Sequence, residues 1–232
     1  MPKLSIIIPV YNEEETILEI IDRVKKAKAL NFKKEIIVVD DSSTDKTKDK
    51  LKNLKNKSIK IFYHSKNLGK GSAIRTGLEN FTGDIVLIQD ADLEYDPNEY
   101  EKLLKPIIEA KADVVYGSRF EVITKNLSKM YKLHYIGNLL LTFLTNILYG
   151  AKISDMETGY KVFKKDVIKK IKLKARRFDF EPEITAKILK KGFKIYEVPI
   201  NFVGRKFKEG KKITWVDGVK AVYYLLKYRF FD

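Results

Sequence analysis

The chain has 232 residues, 44% of them hydrophobic, enough for one domain with an ordinary core. It has no cysteine, which excludes a disulfide framework and any thiolate metal site. Its net charge of +15 is unevenly held: residues 1–100 contain 17 basic and 17 acidic side chains, residues 101–232 contain 29 and 14. A half this basic points to anionic partners, whether phosphates, nucleic acid or an acidic membrane face. A uniformly lysine-rich surface would not concentrate the excess there.

In chain order, Leu4–Val10 reads as a strand with no signal-peptide-like run ahead of it, so a cytosolic protein is expected. A helical pattern follows from Glu13 to about Lys28, with Ile17, Ile20, Ile21 and Val24 on one face. Glu35–Asp40 is a second strand, and Ser43-Thr44-Asp45 caps a helix running to Leu54. Ile59–Tyr63 is a third strand, Gly71 to Phe81 a helix, and Ile85–Gln89 a buried fourth strand. Asp96-Pro97 opens a helix to Ala110, and Val114–Tyr116 is a fifth strand. This βαβα order predicts a mostly parallel sheet between helices, with ligands bound beyond the carboxyl ends of its strands.

The second half is less regular. Met130–Tyr149 predicts an amphipathic helix, with Asn138, Thr142, Thr145 and Tyr149 opposite Leu140, Phe143, Leu144 and Ile147. It is too short an uncharged run to span a bilayer, so it either packs on the domain or lies on a membrane. Trp215 to Phe231 is a last helix with Trp215, Val219, Val222, Leu226 and Phe230 on one face, flanked by Lys220, Lys227 and Arg229. Core packing and membrane-surface contact both remain open for it.

Four predicted strands end in polar residues: Pro9-Val10-Tyr11-Asn12-Glu13, Asp40-Asp41-Ser42-Ser43, Gln89-Asp90-Ala91-Asp92 and Gly117-Ser118-Arg119. On an extended chain Asp90, Asp92 and Glu94 would point to one side. Carboxylates so gathered repel unless a cation sits between them, and oxygen ligands suit Mg²⁺ or Mn²⁺. Gly69-Lys70-Gly71-Ser72 is not a P-loop, because the first glycine of that motif is missing upstream of the lysine.

These segments resemble the family 2 glycosyltransferases of the GT-A fold, on Ser5 to Glu13, Val38 to Asp45, Asn67 to Gly71 and Gln89 to Asp92. Gly117-Ser118-Arg119, Asp155 to Lys161 and Glu197-Val198-Pro199-Ile200 narrow the likeness to the dolichol- or polyprenyl-phosphate mannose and glucose synthase group. The resemblance runs over nearly the whole chain. It implies one GT-A domain over residues 1–232, with a Rossmann-like donor half (1–120) and an acceptor half with amphipathic helices (121–232).

It implies that Pro9, Tyr11, Asn12, Glu13 and Asp41, with Asp40 beside it, hold the nucleoside of a nucleotide sugar. Asp90, Ala91 and Asp92 meet its diphosphate through Mg²⁺ or Mn²⁺, and Lys70 lies near the donor. Glu94 stands where many mannose synthases have glutamine, and either ligates the ion directly or reaches it through water. Arg119 is expected to bind the acceptor phosphate, since arginine presents a fork to phosphate oxygens. Lys129, Lys132 and His134 fall where the family supplies a second basic acceptor contact; for His134 a structural or interfacial role is an equal alternative. Arg205, Lys211 and Lys212 resemble a loop that closes over the donor phosphates, the alternative being a lysine-rich surface loop. Asp155, Glu157 and Glu183 are candidate sugar contacts.

The implied reaction is inverting transfer of a hexose from GDP-mannose or UDP-glucose to a polyprenyl phosphate. It takes place at the cytosolic membrane face, with attachment through the basic face and last helix or through a separate membrane subunit. The alternative is a saccharide or other non-lipid acceptor, with Asp155 or Glu157 as base. Nucleic acid is not an expected partner, because no stacking-aromatic or recognition-helix signature accompanies the charge.

Overall fold

The computed structural model describes residues 1–54, 58–120, 132–204 and 215–231. Its elements are β1 (Lys3–Val10), α1 (Ile17–Lys26), β2 (Lys33–Asp40), α2 (Thr47–Lys52), β3 (Ile59–Tyr63), α3 (Lys70–Asn80) and β4 (Ile85–Ile88). After a 3₁₀ turn at Pro97–Glu99 come α4 (Tyr100–Ile108), β5 (Val114–Ser118), α5 (Lys132–Tyr149), β6 (Lys161–Lys164) and α6 (Lys165–Lys169). The last three are α7 (Phe180–Lys190), β7 (Ile195–Pro199) and α8 (Trp215–Phe230).

The strands form one sheet in the order β3-β2-β1-β4-β6-β5-β7. All pairings are parallel except those of β6, which runs antiparallel between β4 and β5. The mixed α/β architecture expected from the sequence is present, with β6 and β7 as additional strands. Lys161–Lys164 escapes a reading by pattern because a four-residue strand opening on a buried lysine shows no period.

Strand alternation divides the core. On β1, Leu4, Ile6, Ile8 and Val10 pack with Ile17, Ile20, Ile21 and Val24 of α1 and with Leu103, Leu104 and Ile107 of α4. Ile7 points to the opposite face, with Ile37, Val39 and Ala73. There α3 lies so close to β1 that a Cβ on Gly77 would stand 2.5 Å from Ile7 Cγ2, hence glycine. A third cluster joins Ile74, Ile88 and Phe163 to Phe180, Ile184 and Ile188 of α7.

α1 begins later than its periodicity suggests, because the Glu13 carbonyl accepts the Thr16 and Ile17 N–H groups as a turn before the helix. Asp45 does organise the start of α2: Oδ1 accepts the Thr47 N–H at 2.9 Å and Oδ2 the Glu14 N–H at 3.0 Å.

The outer helices are inverted relative to an ordinary packed pair. On α5 the polar stripe faces inward: Thr142 and Thr145 are buried, the Thr142 hydroxyl accepts the Met156 N–H, and the Tyr149 hydroxyl donates to the Leu225 carbonyl. The apolar stripe faces out, with Leu140 63%, Phe143 64% and Ile147 63% exposed. On α8, Ala221 and Leu225 pack with Leu141, Ile153 and Met156, while Val219, Val222, Leu226 and Phe230 are exposed. Among the described residues no helix is long and apolar enough to cross a membrane.

Candidate active site

The carboxyl ends of β1, β2, β4 and β5 bring the predicted residues to one rim of the sheet. At the first two ends the chain turns through left-handed residues, Asn12 (φ 50°) and Ser42 (φ 62°), conformations in which asparagine is common. Hydrogen bonds knit the turns: Asn12 N–H to Ser43 Oγ at 2.9 Å, Thr44 N–H to Asn12 Oδ1 at 2.8 Å, and Glu13 N–H to Thr47 Oγ1 at 2.9 Å. Pro9 sits within β1 opposite Val39, and Glu13 is buried, accepting from the Thr16 hydroxyl.

The two aspartates ending β2 differ. Asp41 is consumed by the β3–α3 loop, accepting the N–H groups of Leu68 (2.9 Å) and Gly69 (2.7 Å) and meeting His64 Nδ1 at 2.7 Å. Asp40 is fully buried; Oδ1 binds Ser43, and Oδ2 has no hydrogen-bond partner. An unpaired buried carboxylate oxygen is costly, which marks Asp40 Oδ2 as an acceptor awaiting a donor.

Lys70, first residue of α3, reaches Asp90 Oδ1 at 2.9 Å and Glu181 Oε1 at 3.0 Å. Burial pulls its ammonium down, but the charges of Asp90 and Glu181 outweigh this and hold it well above the ordinary lysine range. The helix start is no phosphate cradle: the Gly71 and Ser72 N–H groups are already bonded to the carbonyls of Arg177 and Arg176. Glu181, on α7, was not singled out in the sequence. Its only local signal is the alternation of aromatic and acidic residues in Phe178-Asp179-Phe180-Glu181. Its Oε2, like Glu157 Oε1, is buried without a partner.

The extended arrangement expected for Asp90, Asp92 and Glu94 does not form. β4 ends at Ile88, and the chain turns through Leu93 at φ 62°. The Glu94 N–H bonds to Asp92 Oδ1, while the Glu94 carbonyl accepts from Val203 and Tyr95 bridges Phe202. Pairing with the 202–203 segment thus overrides local extension. Among the described residues no three His, Asp or Glu side chains gather as a ready metal site. Asp90 Oδ2 instead abuts Gly159, where a Cβ would lie 2.3 Å away.

Arg119 follows β5 and is buried. Asp155 clamps it: Oδ2 accepts the Arg119 backbone N–H (3.0 Å) and Nε (2.7 Å), Oδ1 accepts Nη2 (2.7 Å), and the guanidinium lies over the Phe202 ring. Asp155 is itself set by Glu197, which accepts the Ser154 and Asp155 N–H groups. Nearby Lys161 is buried, its ammonium bonded to the Met156 and Thr158 carbonyls; burial lowers its pKa. Burial and the charge of Glu181 push the Glu157 carboxyl up, against the pull of Lys161 and Arg119. Glu183, expected beside a sugar, is taken up by the Lys174 and Ala175 N–H groups and by Lys187. Lys129, Arg205, Lys211 and Lys212 lie outside the described residues, as do the side chains of Lys132 and His134 at the start of α5.

The donor set suits a hard divalent ion. Asp90 and Asp92 offer carboxylate oxygens two residues apart, and Asp90 already holds a cationic group, the Lys70 ammonium. Mg²⁺ is commonly held by one or two carboxylates completed by substrate phosphates.

The polar and acidic strand ends of this mixed α/β sheet thus share one rim, and comparison with known proteins supplies the family. Residues 5–172 match the model of Glycosyl transferase family 2, and the chain belongs to that family. It is similar to the UDP-N-acetylglucosamine–dolichyl-phosphate N-acetylglucosaminyltransferase of Methanococcus voltae, 30% identical over 242 residues covering 96% of this chain and 94% of that one. It is similar also to the dolichol-phosphate mannosyltransferase of Pyrococcus furiosus, 32% identical over 232 residues, covering 97% of this chain and 64% of the relative. In fold it matches glucosyl-3-phosphoglycerate synthase of Mycobacterium tuberculosis, solved with Mn²⁺, UDP and glucosyl-3-phosphoglycerate. That match has a TM-score of 0.72 at 20% identity and covers 98% and 80% of the two chains.

Proposed function

We propose that this glycosyltransferase moves a hexose from a nucleoside diphosphate sugar to a polyprenyl phosphate at a membrane surface, with inversion at the anomeric carbon. The observation that carries the acceptor is the outward apolar stripe of α5 and α8, beside a half with a large basic excess. Such a surface suits the headgroup boundary of an anionic bilayer, where a lipid phosphate would be met. The names of the Methanococcus and Pyrococcus relatives support the same acceptor class.

On this reading Asp40, Tyr11 and Glu13 hold the nucleoside, and the unpartnered Asp40 Oδ2 accepts from a base N–H or a ribose hydroxyl. Asp90 and Asp92 would hold Mg²⁺ or Mn²⁺, with Glu94 at most an outer contact. The ion would neutralise charge on the leaving nucleoside diphosphate. Asp155 keeps the Arg119 guanidinium oriented, and Arg119 steadies the acceptor phosphate. That phosphate is already anionic at neutral pH, so positioning suffices and no strong base is required. In-line attack behind the leaving diphosphate inverts the sugar carbon. Should the acceptor be a hydroxyl instead, the base is Glu157 rather than Asp155: Asp155 is spent on Arg119, whereas Glu157 keeps an unpartnered oxygen.

The test is a donor screen with GDP-mannose, UDP-glucose and UDP-N-acetylglucosamine against a short-chain polyprenyl phosphate, reading nucleoside diphosphate release and lipid product. Transfer to the lipid phosphate with one donor is expected. Transfer to a soluble saccharide, with none to any lipid phosphate, would sink the proposal.

A further inference from the structure

Asp90 is already paired with a cation of the chain's own. The Lys70 ammonium covers Asp90 Oδ1 at 2.9 Å, and Oδ2 lies so near Gly159 that a Cβ there would stand 2.3 Å from it. Lys70 is also 3.0 Å from Glu181 Oε1, and Glu181 retains a second, buried oxygen with no partner. The backbone beneath Lys70 is pinned, since the next two N–H groups bond to the carbonyls of Arg177 and Arg176. The ammonium reaches both carboxylates at the end of a four-carbon side chain. An ammonium and a divalent ion on one carboxylate oxygen would stand within a few ångströms of each other, at a Coulombic cost that the site cannot screen as water does.

We propose that Lys70 is an exchangeable counter-ion of Asp90, which a divalent cation occupies only as the Lys70 ammonium withdraws toward Glu181. The inference rests on the reading of Asp90 as a metal ligand and adds a resident competitor to it. It makes metal binding weak on its own and tight with the donor, whose diphosphate supplies further oxygens to the ion and a new partner to the ammonium. Metal and nucleotide are thereby coupled, each raising the other's affinity by the same factor.

The experiment titrates Mn²⁺ without nucleotide, following the free-ion electron paramagnetic resonance signal, on wild type, Lys70→Met, Asp90→Asn and the double variant. Direct competition predicts that Lys70→Met tightens Mn²⁺ about tenfold, and that the same substitution changes affinity less than about twofold when Asp90 is already asparagine. Equal tightening in both backgrounds would reduce Lys70 to a distant positive charge and overturn the proposal. No tightening in either would overturn it as well. If Asp90→Asn binds Mn²⁺ as wild type does, the ligand reading of Asp90 itself fails, a result distinct from the other two, and the proposal falls with it. Should Lys70→Met lose its cooperative melt, Lys70→Gln enters the same cycle.

Discussion

Replacing Asp155 by alanine strands a buried guanidinium. The Arg119 side chain is 8% exposed and that of Asp155 0%, and three Arg119 donors end on the carboxylate. Breaking a buried pair by removing one partner costs about 3–5 kcal/mol, most of it the penalty of the charge left behind. In a protein of this size 1 kcal/mol shifts the midpoint by roughly 2–4 °C, so Tm should fall by roughly 6–20 °C. The assay is thermal and urea unfolding by circular dichroism, with the urea midpoint falling at constant slope. A second variant separates stability from chemistry: Arg119→Met with Asp155→Leu removes both charges and should recover most of the loss. If Arg119 steadies an acceptor phosphate, that recovered protein still transfers no sugar. An Asp155→Ala protein melting within about 3 °C of wild type, or roughly 1 kcal/mol, would refute the buried clamp.

Gly159→Ala would place a methyl 2.3 Å from Asp90 Oδ2 and 2.8 Å from Tyr95 Cε2. Turnover is expected to fall about 100-fold through misplacement of Asp90, with the melt lowered only moderately; full activity would mean the Asp90 carboxylate need not sit there. Burial pushes Glu35 up, yet bonds from Lys60, Ser5 and Thr82 prevail and hold it at about 2. A lowered folded pKa stabilises above the ordinary carboxylate range and is lost as pH falls toward 2. Urea melts should therefore show wild type losing roughly 2–3 kcal/mol more than Glu35→Gln between pH 5 and pH 2. Parallel curves would count against this. Phe143→Glu, on the outward stripe of α5, should weaken sedimentation with phosphatidylglycerol vesicles by about tenfold or more without changing the melt; unchanged sedimentation would remove α5 from the membrane contact.

The alternation of strands and helices from Leu4 to Tyr116 was legible because each element carries its own period, and parallel βαβ topology follows from order alone. The strand-end motifs were legible for the same reason: a polar turn directly after an apolar strand is a local signal. Local signals stopped at the second half. β6 is a strand because β4 and β5 flank it, and β7 because β5 offers an edge, neither of which four or five residues can announce.

The amphipathic stripes of the two outer helices were readable from spacing, but their direction was not. Period says which residues share a face, and only packing says that on α5 the threonines turn inward while Leu140 and Phe143 turn out. Among the acidic residues the sequence alone determined that Asp90 and Asp92 stand at the end of a buried strand. Tertiary structure decided that the Glu94 backbone pairs with Val203, that Asp41 is spent on a loop while one oxygen of Asp40 is left unpartnered, and that Asp90 shares Lys70 with Glu181. The reason is range: propensity and period act over a few residues, whereas an ion pair or an unpartnered oxygen is settled by segments that meet only when the sheet closes.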